Sequence, residues 1–513
     1  MTTWSNNPRI YEINTWVWLT TLSQNYNYPI TLNNVPEEVI DQLASYHCDA
    51  IWLMGVWYRG ASTQASAWNY IHEYRGALPD VTKEDVAGSA YAIAAYDVEE
   101  AIGGRDGLAI FRQQLHNRGL KLILDFVPNH TGLDHPWLLE HPEYYIQADP
   151  MWMEKAQGEF FELKIAKLIK SVFAHGRDPY FPGWIDTAQL NAYSYGYRKA
   201  AIKTLRDIAS MADGVRCDMA MLMTNDVFKH SWGWLHPDMQ APDKEFWTEI
   251  IPRVRERNND FLFIAEAYWN MNQQLLDQGF DYTYDKTIYD RIVSGDVNGI
   301  RSHLRADISY LNRQIRFIEN HDEPRAADSL GIERSRPAAV LISTLPGATL
   351  LHDGQFSGRV VKLPVHITRQ PDEREYPALK AYYKRLLEEV SDDIYHNGQW
   401  QQFDCYAACD GCVGDYNLLT YGWRQGDDMR LVVLNMSNEW SQGAIDLGAW
   451  ADDLRGQDWV LLDTLHRTYI EENGDKVAHE GLAVDVEPHQ AMILHFEPLK
   501  LRKKRKRQLS AKR

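Results

Sequence analysis

Cysteine is scarce in this sequence. Its 513 residues include 5 cysteines, a small and odd number that does not fit the disulfide framework of secreted domains. Cys405, Cys409 and Cys412 lie close together, but a zinc site usually needs four ligands, and the sequence offers no matching second pair. We therefore expect free thiols, no metal held by these cysteines, and a cytoplasmic location.

Long apolar runs and targeting signals are also absent. No segment approaches the roughly 20 apolar residues that a membrane-spanning helix needs. The first residues, MTTWSNNPRIYEINTWVWL, lack the basic start, the continuous apolar centre and the small-residue cleavage site of a secretory signal. We therefore expect neither a signal peptide nor a membrane span.

Positive charge is sparse except at the C-terminal end. The formal net charge is −18, and nine of the Lys and Arg residues lie in 500–513, which leaves −27 on residues 1–499. An acidic body repels nucleic acid and anionic membranes, so we expect neither as the main partner. The basic tail, 499–513, is predicted to be a disordered solubilising end; anchoring to polyanions or anionic lipid is the alternative. No pattern predicts an oligomeric state.

The sequence does contain eight short apolar or β-branched runs that alternate with helical patterns. Most of these runs are apolar throughout, as buried parallel strands are. Eight strand–helix pairs favour a (β/α)8 TIM barrel. The alternative, an open doubly wound sheet, usually has fewer strands and a glycine-rich phosphate-binding turn after a strand. The glycine-rich stretch GGRDG at 103–107 does not follow a predicted strand. The predicted strands lie at 10–19, 49–56, 121–128, 214–219, 261–266, 280–285, 315–320 and 348–353.

Two further units are predicted around this barrel. About 60 residues separate the third strand from the next helix, which predicts an inserted subdomain at about 131–188 that covers the site. After 390 the pattern changes to short alternating runs between Gly, Asp and Asn turns, which indicates an antiparallel β-sandwich. The predicted domains are a catalytic barrel at 1–390, with the insertion inside it, and a sandwich at 391–498.

Polar residues end several of the predicted strands. In TIM barrels the active site lies at the carboxyl ends of the strands. A lone Asp after a strand is usually a helix cap or a turn former, but chance does not readily place so many polar side chains on one rim. The residues in question are Asp125, Asn129 and His130 after the third strand, Arg216 and Asp218 on the fourth, Glu266 on the fifth, and Asn320, His321 and Asp322 on the seventh.

These strand ends resemble the four conserved segments of the α-amylase family, glycoside hydrolase family 13. The segments are DFVPNH (125–130), GVRCD (214–218), IAEAYW (264–269) and FIENHDE (317–323), in the order and on the strands that the family has. The resemblance implies a glycosidase that acts on α-glucosides or α-glucans. It needs no cofactor, and a structural calcium ion near Asn129 is left open.

By position, the resemblance assigns roles to individual residues. Asp218 is similar to the nucleophile, Glu266 to the acid/base and Asp322 to the transition-state stabiliser. The residues expected around the reacting sugar are Tyr91, His130, Arg216 and His321, with Asp125 as a structural carboxylate behind them.

Glycoside cleavage requires these residue types, independently of the family resemblance. Retaining cleavage uses one carboxylate as nucleophile and a second carboxyl group as acid. Arg216 shares a strand face with Asp218 and is expected to keep it ionised. The apolar neighbours of Glu266 are expected to favour its protonated form.

The sequence departs from the family after the nucleophile. Met221 and Leu222 stand where family amylases commonly have Lys-His, which suggests short substrates with an apolar leaving group rather than long glucans. The alternatives are a glucosyltransferase or phosphorylase that uses the same intermediate, and a non-catalytic relative that only binds sugar or a protein. The three carboxylates argue against the last alternative.

Overall fold

A closed barrel of eight parallel strands forms the centre of the protein. The structure, a computed structural model, describes residues 4–166, 169–409 and 411–500. Each strand pairs with the next along the chain, and the eighth pairs with the first. The predicted (β/α)8 fold is therefore confirmed. The strands are β1 (Arg9–Asn14), β2 (Ala50–Met54), β3 (Lys121–Phe126), β4 (Gly214–Cys217), β5 (Leu262–Ala265), β6 (Tyr282–Tyr284), β7 (Gln314–Arg316) and β8 (Ala348–His352).

Apolar sequence explains why these strands lie inside. Every residue of β2, β4, β5 and β8 is buried, because both faces of a barrel strand are covered, one by the interior and one by helices. In the register of β4, Gly214 pairs with Ile123 on one side and Leu262 on the other. This stepwise pairing brings the carboxyl ends of β3, β4 and β5 to one rim.

Helices follow the strands and cover the outside of the barrel. One prediction is wrong here: the first strand does not run to 19, because Asn14 ends it and its side chain accepts a hydrogen bond from the N–H of Val17, capping a helix. The main helices are Thr15–Tyr26, Glu37–Ala44, Ala61–Asn69, Gly104–His116, Tyr195–Met211, Asn225–Trp232, Phe246–Arg255, Asn272–Asp277, Lys286–Ser294, Val297–His303, Gly331–Thr344 and Pro377–Val390.

The segment between β3 and the helix Tyr195–Met211 forms small sheets of its own. Strand His130–Gly132 pairs with Thr187–Gln189, and strand Ile169–Ala174 lies between Gln147–Ala148 and Phe160–Ala166. Folded structure is therefore present where the insertion is predicted. Its exact bounds at about 131–188 stay a prediction.

Two antiparallel sheets follow the barrel. Phe403, Leu431, Trp450, Leu461 and Phe496 are among the side chains packed in their common core, which is the arrangement of a β-sandwich. The boundaries 1–390 and 391–498 stay predictions, and residues 501–513 of the basic tail lie outside the described residues. The larger sheet has the order Gln399–Gln402, Leu418–Gln425, Asp428–Asn435, Ala491–Pro498, Asp458–Asp463, Thr468–Asn473, and the smaller has Cys405–Tyr406, Ser441–Ile445, Leu482–Val486.

The cysteines correct one expectation. Cys409 and Cys412 are joined by a disulfide across a turn, with Cα atoms 5.1 Å apart, whereas Cys48, Cys217 and Cys405 are free. The N–H of Cys412 donates to the carbonyl of Cys409, and this tight turn brings the two sulfurs together. The prediction of free thiols throughout is wrong, and the cysteine argument for a cytoplasmic location loses its support. Within the described ranges, no helix is long and apolar enough to cross a membrane.

Candidate active site

The carboxylates of the site stand immediately after barrel strands. Asp218 is the first residue after β4, and Glu266 is the first after β5. Side chains alternate between the two faces of a strand, so Arg216 and Asp218 share the interior face. All three side chains are buried. The strand ends therefore place one guanidinium between two carboxylates at the centre of the rim.

Arg216 connects the carboxylates of the site. Its Nη1 atom lies 2.8 Å from Oδ1 of Asp218, and its Nη2 atom lies 2.8 Å from Oε2 of Glu266. Asp125 is 3.5 Å away and Asp322 is 3.8 Å away. The structure thus brings the three predicted catalytic carboxylates around one cation.

The protonation of Asp218 differs from the sequence-based expectation. Burial raises the pKa of Asp218 to about 7, although the neighbouring Arg216 opposes that rise, and the charges of Glu266 and Asp322 add to it. Removal of water thus opposes the ionised state that Arg216 is expected to maintain.

Glu266 is surrounded by donors rather than by apolar groups. It forms an ion pair with Arg216 and accepts hydrogen bonds from the hydroxyl of Tyr268 at 2.8 Å and from the backbone N–H of Met219 at 2.6 Å. Met219 adopts a left-handed conformation with φ 42°, which is costly for a residue with a side chain. The predicted apolar environment of Glu266 is thus wrong.

A second chain of contacts runs through His321. Its Nε2 atom lies 2.9 Å from Oδ2 of Asp322 and 2.7 Å from the Tyr91 hydroxyl. Its Nδ1 atom lies 2.5 Å from Oε1 of Glu12, a residue of β1. Asp322 is the most open carboxylate, with 42% of its side chain exposed to the cleft. Tyr91 and His321 therefore adjoin Asp322, as the sequence predicts.

The charges of this chain stabilise one another. Burial alone would lower the pKa of His321, but Asp322 and Glu12 outweigh it and raise the pKa well above its usual range. Burial alone would raise the pKa of Asp322, but His321 outweighs it, so this pKa falls below its usual range. The two shifts favour the charged forms of both His321 and Asp322.

Sequence reasoning missed Glu12. The residue lies within the apolar run IYEIN, where a single carboxylate among buried neighbours is the signal that was available. Its partner is 309 positions away in the chain. Periodicity in one strand cannot identify such a contact.

The two remaining predicted residues complete the wall of the site. His130 bonds to the backbone of Tyr91, and burial lowers its pKa to about 3, so the ring is neutral. Asp125 accepts a hydrogen bond from the Trp52 indole at 3.2 Å. Burial raises the pKa of Asp125 to about 6, against the opposing effect of Arg216.

The surroundings of Asn129 do not fit a calcium ion. The side-chain nitrogen of Gln189 donates to Oδ1 of Asn129, to its carbonyl and to the carbonyl of Leu190, each at 2.9 Å. Calcium would need oxygen ligands where this amide nitrogen lies. Across the described ranges, no group of three or more His, Cys, Asp or Glu residues is arranged to hold a metal.

An exposed aromatic pair includes Trp269, which follows Glu266 by three positions in the chain. Trp269 and Tyr180 form an edge-to-face pair with ring centroids 5.0 Å apart, and both are exposed. Met221 and Leu222 are buried, to an extent similar to Arg216 and Glu266. The part assigned to them from the sequence stays a prediction.

Comparison with known proteins agrees with this geometry. Residues 38–402 match the model of the α-amylase catalytic domain. The α-amylase MalA of Haloarcula japonica is 26% identical over 294 residues, which cover 55% of this chain and 38% of that protein. The probable oligo-1,6-glucosidase 2 of Bacillus subtilis is 44% identical over 354 residues, which cover 58% of this chain and 59% of that protein. The chain thus spans less than two thirds of the length of these relatives.

Solved structures extend the likeness over the whole fold. The structure of a noncanonic maltogenic α-amylase, AmyB from Thermotoga neapolitana, superposes with a TM-score of 0.67 at 19% identity, over 96% of this chain and 99% of that one. The structure of an α-amylase from Geobacillus thermoleovorans superposes with a TM-score of 0.66 at 17% identity, over 97% of this chain and 99% of that one. These two likenesses concern the fold, whereas the match of the catalytic-domain model covers most of the chain itself. The chain belongs to the α-amylase family.

Proposed function

We propose that this protein is a retaining glycoside hydrolase that cleaves α-glucosidic bonds of oligosaccharides or α-glucans. The observation that supports the proposal best is that Arg216 lies 2.8 Å from both Asp218 and Glu266. Two nitrogens of one guanidinium hold two carboxylates close together. This favours the separation of retaining enzymes, roughly 5 Å, over the wider spacing of roughly 6.5–9.5 Å that leaves room for a water molecule in inverting ones.

The three carboxylates divide the reaction between them. In the first step Asp218 attacks the anomeric carbon, while Glu266 protonates the departing oxygen and the glycosidic bond breaks. In the second step Glu266 takes a proton from water, which attacks the anomeric carbon and releases Asp218. Asp322, ionised and open to the cleft, stabilises the positive charge on the flattened sugar ring.

The stereochemistry of the first product tests this function. Proton NMR of a maltotriose digest should show the α-anomer of the new reducing end before mutarotation. Initial appearance of the β-anomer would refute the retaining mechanism. Products that depend on added phosphate or on a second sugar would assign the chain to phosphorolysis or transfer instead.

A further inference from the structure

Glu12 is a buried carboxylate for which the proposed cleavage has no direct use. It lies in the middle of β1 and is fully inaccessible to solvent. An unpaired charge in such a place is strongly destabilising. Among the described residues, its Oε2 atom has no hydrogen-bond partner. Its Oε1 atom contacts His321, and this contact therefore has to compensate the buried charge.

Two carboxylates flank the His321 ring. Glu12 lies 2.5 Å from Nδ1 and Asp322 lies 2.9 Å from Nε2. An ionised carboxylate only accepts hydrogen bonds, so Nδ1 donates to Glu12. Two negative charges this close to the ring favour the imidazolium over the neutral form.

Other groups also surround His321 and Glu12. The Tyr91 hydroxyl lies 2.7 Å from Nε2 and can donate to a neutral ring, so it is the charge of the two carboxylates that favours the second proton. Trp52 packs its ring edge-on at 5.5 Å, and Lys362 contacts the backbone carbonyl of Asp322. Burial would raise the pKa of Glu12, but His321 outweighs that effect and His352 assists, so the pKa falls. The remaining titratable groups nearby are Asp125, Arg216 and Tyr284.

We propose that Glu12 is a positioning residue that keeps His321 doubly protonated, with its Nε2–H directed at Asp322 and at the sugar hydroxyls beside it. The inference rests on the proposed function in so far as His321 and Asp322 act on a sugar. If Glu12 were neutral, His321 would lose one proton readily. Its Nε2 lone pair would then face Asp322, and the carboxylate would lose its donor.

The protonation of His321 is directly measurable. In protein labelled with 15N-histidine, the ring signals of His321, assigned by comparison with His321→Gln, report the charge on the imidazole. In the wild-type protein they should stay those of an imidazolium from pH 5 to pH 9. In Glu12→Gln the acceptor remains but its charge is gone, so the ring should titrate inside that range. A neutral His321 in the wild type at pH 8 would overturn the proposal without any variant.

Kinetics separate positioning from mere folding. Glu12→Gln should lower kcat roughly 10- to 100-fold at pH 7 with a smaller change in KM, because bonds to the sugar tighten as the transition state forms. As the pH is raised, the Glu12→Gln variant should begin to lose activity at a lower pH than the wild type, because removal of an anion lowers the pKa of His321. Glu12→Asp, which keeps the charge, should recover the wild-type pH dependence.

A matched control is available on the outer face of the barrel. Asp285 is a buried carboxylate paired with His303 at 3.0 Å, and Asp285→Asn should reduce thermal stability without changing the titration of His321 or the pH profile. Wild-type kinetics and an unchanged alkaline limb in Glu12→Gln would refute the proposal. If the wild type hydrolysed no α-glucoside but His321 stayed an imidazolium, the proposed function would be refuted. The proposed effect of Glu12 on His321 would still hold.

Discussion

The backbone N–H of Met219 donates a hydrogen bond to Oε2 of Glu266 over 2.6 Å. The residue that follows Asp218 therefore touches the second carboxylate of the cleft, and Arg216 bridges the same two groups from inside the barrel. Two independent contacts thus fix the spacing between Asp218 and Glu266, the proposed nucleophile and acid/base. The left-handed conformation of Met219 is one structural cost of that spacing.

Replacement of Glu266 should have an effect that depends on the leaving group. Glu266→Gln keeps the shape but cannot donate a proton, so kcat/KM on maltotriose should fall by roughly 10²–10⁴. A nitrophenyl α-glucoside departs with little acid assistance and should lose far less. Steady-state kinetics on both substrates measure the difference. Equal losses on the two substrates would remove Glu266 from the acid role.

Acidic solution should inactivate the enzyme through Asp218. Only the ionised carboxylate attacks, and burial raises the pKa of this group to about 7. The sign follows directly: kcat/KM should fall about tenfold per pH unit as the pH drops below that value. A profile of kcat/KM from pH 4 to pH 9 checks this limb. Constant activity down to pH 5 would show that Asp218 is more acidic than its burial implies.

The exposed aromatic pair next to Glu266 should contribute to binding of the leaving sugar. Stacking of a ring face on Trp269 is worth about 0.5–1.5 kcal/mol, so Trp269→Ala should raise KM for maltotriose roughly two- to tenfold. Trp440, exposed on the C-terminal sheets, serves as a matched control. If both Trp→Ala variants change KM equally, Trp269 has no part in the subsite.

The barrel was predictable because local sequence determines most of it. Each strand is an apolar run, and the pairing of consecutive strands follows from the alternation of strands with helices. The rim residues were predictable for the same reason, since Asp218 and Glu266 simply follow β4 and β5. Asn14 was misread because the apolar run continues past the strand into a capped helix.

The features that sequence could not provide depend on contacts across the fold. Glu12 and His321 are 309 positions apart, and no local pattern links them. The donors around Glu266 include the backbone N–H of Met219, which follows a neighbouring strand 47 positions earlier in the chain. The protonation of Asp218 depends on how far water is excluded, which composition does not reveal.

The most direct measurement of the central claim is the identity of the residue that becomes covalently glycosylated. A fluorinated α-glucosyl fluoride, whose intermediate hydrolyses slowly, should label the protein once, and mass spectrometry of the digest should place the sugar on Asp218. Asp218→Asn should remain folded, take up no label and lose nearly all activity. A sugar on Glu266 or Asp322, or hydrolysis at the wild-type rate by Asp218→Asn, would contradict the account.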